Sequence, residues 1–97
     1  MEIKDVKEEI SKILRDELSN SDYSAFFFGS RITGTNSPTS DLDVGIEGKN
    51  PVSVDILRSI KSRCESIPTL YSIDVVDFSF LSDDFIKVAK TKIEKIL

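Results

Sequence analysis

The stretch Ala25-Phe26-Phe27-Phe28 constrains the fold more than any other part of the chain. Side chains of a strand alternate between the two faces of its sheet, so neighbouring phenylalanines point to opposite sides. Tyr23 to Phe28 therefore reads as a short strand that needs apolar cover on both faces. A strand of that kind fits a layered domain. The run is also far below the roughly 20 apolar residues that cross a bilayer as a helix.

The remaining segments supply the cover. Ile3, Val6, Ile10, Ile13, Leu14 and Leu18 recur at spacings of three and four with charges between them, which predicts an amphipathic helix over residues 3–18. Ser19-Asn20-Ser21-Asp22 breaks it. Gly29-Ser30 ends the strand, and residues 31–40 read as loop, with room for a short helical turn at Arg31 to Gly34. Leu42 to Glu47 is a second strand, and Gly48, Asn50 and Pro51 punctuate the chain after it. Ser53 is placed to cap a helix with Ile56, Leu57, Ile60, Cys64 and Ile67 on one face, and Pro68 stops that helix. Ser72 to Val76 is a third strand. Ser82 with Asp83 and Asp84 marks a helix start, and the pattern runs a last helix through Phe85, Val88, Ala89, Ile93 and Ile96. This order predicts an α+β domain of two layers, a small mixed sheet with helices packed on one face. At 97 residues, positions 1–97 are expected to form a single domain.

Composition excludes several chemistries. The chain has no His, so it holds no serine–histidine triad, no imidazole base and no His-ligated zinc. Its one cysteine, Cys64, falls on the apolar stripe of the second helix and reads as a buried small side chain. A single cysteine forms neither an intrachain disulfide nor a cysteine-cluster metal site, which suits a reducing cytoplasm. The N-terminus lacks the basic-then-apolar layout of a secretory signal, and no membrane association is expected. The formal net charge of −4 argues against broad nucleic-acid binding while leaving room for a local basic patch.

Three features carry chemistry. Gly29-Ser30 follows an apolar strand directly, where backbone N–H groups and the Ser30 hydroxyl suit phosphate oxygens. In Asp41-Leu42-Asp43 the two acids share one strand face. Carboxylates about 5 Å apart repel by roughly 3 kcal/mol at an effective dielectric near 20, and a divalent cation between them reverses the sign. Oxygen ligands of this kind suit Mg²⁺. Asp74 stands among Ile73, Val75 and Val76, where an acid is costly unless a cation or donor compensates it. Asp77, three positions on, points to the opposite face and reads as a strand end or cap. Each feature alone is commonplace: a turn, a solvated edge, an exposed strand face.

Taken together they are not. Phe26-Phe27-Phe28-Gly29-Ser30-Arg31, ten intervening residues from Ser30 to Asp41, Asp41-Leu42-Asp43-Val44, and a later Ile73-Asp74-Val75-Val76-Asp77 resemble the signature of the minimal nucleotidyltransferases of the DNA polymerase β superfamily. The motifs span residues 23–85. One departure is Ile32 after Arg31, where many minimal members have a small residue, and the loop from Thr35 to Thr39 has little positive charge. Arg31 suits a phosphate contact and equally a solvated loop position.

The resemblance implies a nucleotidyltransferase fold and a transfer of NMP, with AMP from ATP as the expected case. It implies that Gly29, Ser30 and Arg31 bind nucleotide phosphates, that Asp41, Asp43 and Asp74 bind two Mg²⁺, and that Asp74 assists deprotonation of an acceptor hydroxyl. It further implies a separately encoded helical partner of the HEPN type in a toxin–antitoxin pair, with the present chain as antitoxin, in a homo- or hetero-oligomer. Two other readings remain at this point: a vestigial module that neutralises its partner by contact, and a two-chain transferase acting on a small molecule such as an aminoglycoside.

Overall fold

The computed structural model describes residues 2–18, 22–28, 42–91 and 93–97. Helix α1 covers Ile3–Leu18, strand β1 Ser24–Phe28, strand β2 Leu42–Glu47 and helix α2 Val54–Glu65. Strand β3 covers Ile73–Asp77, followed by a 3₁₀ turn at Phe78–Phe80, helix α3 at Asp83–Ala89 and strand β4 at Ile93–Lys95. The expected breaker at 19–21 and the helical turn at 31–34 lie outside the described residues.

The strands form one sheet in the order β3-β2-β1-β4. β1 is antiparallel to both β2 and β4, and β2 is parallel to β3, so the sheet is mixed as expected. The parallel pair is bridged by α2, the usual device for returning a chain to the same end of a sheet. β1 is central and buried on both faces, as its consecutive phenylalanines require.

One face carries Ala25, Phe27, Leu42, Val44, Ile46 and Val75, packed under α1 and α2. Val6, Ile10 and Leu14 of α1 and Ile60 of α2 are fully buried there. Cys64 is buried in the same layer. The Ser53 hydroxyl accepts a hydrogen bond from the Ile56 N–H at 3.2 Å and caps α2. Arg63 of α2 donates to Asp16 at 2.7 Å and Glu17 at 3.0 Å, fastening the two helices at their exposed rim.

The other face carries a smaller aromatic cluster. Phe26, Phe28 and Phe78 are buried there, with Val76, Leu81, Ile86 and Ala89 packed around them. Phe78 meets Phe26 and Phe28 edge-on, at centroid distances of 5.0 and 5.1 Å. The 3₁₀ turn and α3 thus supply the second cover that β1 needs, while the two long helices share the first face.

The last segment differs from the helical expectation. α3 stops at Ala89, and the backbone N–H of Lys90 bonds to Ile86 and Val88 carbonyls. Ile93–Lys95 then pairs with Phe26–Phe28 as β4. Ile93 and Ile96 continue the helical spacing of Phe85, Val88 and Ala89, so periodicity alone points to a helix there. What decides is β1, whose second edge would otherwise be an unpaired apolar strand. Of the expected stripe, Ile96 is buried, but Val88 is 72% exposed and Phe85 and Ile93 are partly so.

Candidate active site

The site is built from the register of β2 and β3. In this parallel pair Asp43 is the partner of Asp74. Adjacent strands lie about 4.8 Å apart, and register partners present their side chains on the same face. Both acids therefore stand side by side on the face of the aromatic cluster, Asp74 exposed and Asp43 half-buried. Phe28 of β1 is the partner of Asp43 on its other side. The row Phe28, Asp43, Asp74 thus runs across three strands, with an apolar wall at one end and solvent at the other.

This row lies at one end of the sheet. β1 ends at Phe28, β2 begins at Leu42, and the Leu42 N–H bonds to the Ser72 carbonyl at 2.7 Å just before β3. The end of β1 and the start of β2 both lie at this end of the sheet, where the two acids stand. Gly29, Ser30, Arg31 and Asp41 belong to that segment and lie outside the described residues.

The alternation along β3 separates Asp74 from Asp77. Asp77 points to the helix face and is buried, 7% exposed. One of its oxygens accepts from the Val52 N–H at 2.8 Å, and the other accepts from the Ser79 N–H at 3.0 Å and the Ser79 hydroxyl at 2.7 Å. It therefore caps the 3₁₀ turn and ties the approach to α2 to the end of β3, the structural role read from its spacing. Lys90 bonds to Glu47 at 2.7 Å and holds the end of α3 against β2.

Two oxygen-donor acids in register, with neither thiol nor imidazole between them, fit a hard divalent cation better than a soft one. Among the described residues no group of three or more metal-ligating side chains is gathered. Asp43 and Asp74 are a pair, to which Asp41 would be the third member. Cys64 lies in the core on the other side of the sheet, and burial pushes its thiol up to about 11, so it has no part in this chemistry.

A small mixed sheet, two long helices on one face, and carboxylates paired across a parallel register at one end define a class. The nucleotidyltransferase domain family matches residues 7–96, and the chain belongs to that family. It is thereby a nucleotidyltransferase.

Among curated proteins, a probable protein adenylyltransferase MntA of Haemophilus influenzae is 27% identical over 88 residues, covering 89% of this chain and 77% of the relative. Among solved structures, a toxin–antitoxin with AMP-PNP superposes at a TM-score of 0.74 with 21% identity, over 94% of this chain and 72% of the other. A tri-AMPylated HEPN toxin of Shewanella oneidensis in complex with its MNT antitoxin superposes at 0.69 with 17% identity, over 97% and 71%. At these identities the structural likenesses establish the fold.

Proposed function

We propose that this chain is a Mg²⁺-dependent nucleotidyltransferase that moves AMP from ATP onto a hydroxyl of a separately encoded HEPN-type protein, acting as the antitoxin of a toxin–antitoxin pair. The observation that carries the reading is the Asp43–Asp74 register pair within a chain that matches the family over residues 7–96. The Haemophilus relative, a probable protein adenylyltransferase, supports a protein acceptor. The AMP-PNP complex and the tri-AMPylated HEPN toxin support the nucleotide and the partner.

In the proposed reaction the acceptor oxygen bonds to the α-phosphorus of ATP. The bond from that phosphorus to the α–β bridging oxygen breaks, and pyrophosphate leaves with the electron pair. The acceptor proton passes to the Asp74 carboxylate, which stands exposed at the sheet end, and from there to solvent. Asp41, Asp43 and Asp74 would hold the magnesium, and Gly29, Ser30 and Arg31 would hold the phosphates. Magnesium, when bound, supplies positive charge that offsets the clustered carboxylates and stabilises attacking and leaving oxygens.

The test is the intact mass of the neighbouring helical protein, co-purified with this chain, before and after ATP and Mg²⁺. A gain of one or more AMP units, lost with Asp43→Asn, is the expected result. A stable complex with no gain would replace transfer by neutralisation through contact. Absence of any complex, with AMP transferred instead to a small-molecule hydroxyl, would remove the protein acceptor.

A further inference from the structure

We propose that the groove between α1 and β4 is a docking site for an extended acidic segment of a partner protein, which adds as a strand to the β4 edge. The inference does not rest on the transferase reading. The groove lies on the helix face of the sheet, whereas Asp43 and Asp74 stand on the opposite face, two and three strands away from β4.

Two independent observations meet here. The first is charge. The groove, about 650 Å³ and open to solvent, is lined along one face of α1 by Lys4, Lys7, Lys12 and Arg15, against two acids, Glu8 and Glu94. From Lys4 to Arg15 this row runs roughly 16 Å along the helix. Lys7 is paired with Glu94 at 2.7 Å, and among the described residues Lys12 reaches only Glu9, at 3.9 Å. Among the described residues Lys4 and Arg15 are in no ion pair. A chain with a net charge of −4 has thus gathered a cationic row on one helix.

The second is the sheet edge. Among the described residues β4 is paired only with β1. The Ile96 N–H bonds to the Ala25 carbonyl at 2.8 Å, so Ile96 is a bonded position of the ladder. Antiparallel ladders alternate, which makes Glu94 the next bonded position and turns the N–H and C=O groups of Ile93 and Lys95 away from β1. An unpaired edge of this kind accepts an extended peptide through its main chain.

The floor of the groove decides between two polyanions. Ile3, Phe27 and Ile96 form an apolar base, and Phe27 is buried, so no aromatic ring is offered for a base to stack on. Single-stranded nucleic-acid sites usually combine cations with such rings. A peptide alternating acidic and apolar side chains meets the cations, the apolar floor and the strand edge together.

The experiment uses fluorescence anisotropy of a labelled peptide of alternating Glu and Val with the full chain, at low and at physiological salt. An oligothymidylate of equal charge is run in parallel. Lys12 and Arg15 are exposed, so Lys12→Glu with Arg15→Glu should leave the melting temperature unchanged, and Lys12→Ala with Arg15→Ala provides a milder pair. The expected result is peptide binding that weakens with salt and falls about tenfold or more in the charge-reversed protein. Ile93→Pro, which removes an outward N–H without changing charge, should also weaken it. No peptide binding by the wild type, undiminished binding in the charge variants, or tighter binding of the oligonucleotide would each overturn the proposal. Unchanged binding in Ile93→Pro would overturn strand addition.

Discussion

Three aspartates on neighbouring strands have three different environments. Asp77 is buried and fully hydrogen-bonded through both oxygens, whereas Asp74 is exposed beside Asp43. Asp43→Asn or Asp74→Asn keeps the shape of the side chain and removes a negative charge from a repelling pair. Either is expected to lower AMP transfer by about 100-fold or more, the scale of losing one preorganised polar contact to a transition state. Asp74 is exposed, so Asp74→Asn should leave the melting temperature unchanged. Asp77→Ala should do the opposite. It strands the buried N–H of Val52, at about 1–3 kcal/mol, removes the cap on Ser79, and should shift the urea midpoint far more than it shifts the metal dependence of the reaction. Cys64 gives a pH readout. Burial raises its thiol from 9.0 to about 11, so the folded state holds its proton to higher pH than the unfolded state does. The sign is that stability tied to this group is intact below pH 9 and is lost as pH rises towards 11. Alkylation with iodoacetamide at pH 8 should be slow in the native protein and fast in urea, and rapid native labelling would contradict the buried placement.

The elements are held by local chemistry that one substitution can address. Ser53→Ala removes the cap of α2 and should cost about 1 kcal/mol, read as a lower urea midpoint with an unchanged slope. Gly45 lies in β2 directly beneath the aromatic cluster. A Cβ there would come within 2.6 Å of the Phe26 ring and 2.8 Å of the Phe78 ring. Both rings are buried and wedged against each other, so Gly45→Ala should destabilise by about 1–3 kcal/mol, the usual cost of overpacking. Because Gly45 follows Asp43 by two positions on the same face, the same substitution should also disturb the carboxylate pair, and transfer should fall even where folding is restored by cooling. The α2 cap was legible from Ser53 followed by a spaced apolar stripe, and α1 was legible over its whole length, because both signals are local. β4 was not legible. Its three residues have no periodicity of their own, and they are extended because β1 has an open edge beside them.

At the scale of the molecule, the two faces of the sheet divide the labour. One is sealed by α1 and α2 and gives the larger core, while the other carries the aromatic cluster, α3 and the acids. β4 closes one side of β1 and brings Ile96 into the core. A chain stopped before Ile93 is therefore expected to keep its helices by circular dichroism, to melt lower, and to associate through the exposed β1 edge on gel filtration. Amide exchange at Phe26 and Phe28 should accelerate in that chain, and unaltered exchange would show that β4 does not protect the strand. The sequence by itself determined the double-sided strand at Phe26-Phe27, the two long helices and the cap of α2. Those follow from nearest-neighbour sterics, period and composition, which the linear order already contains. Only the tertiary structure decided that Asp43 and Asp74 are register partners and that the last apolar residues form a strand. Each of these depends on which strand lies beside which, and that is set by the joint burial of β1, β2 and β3 under α1 and α2, a quantity no single segment carries.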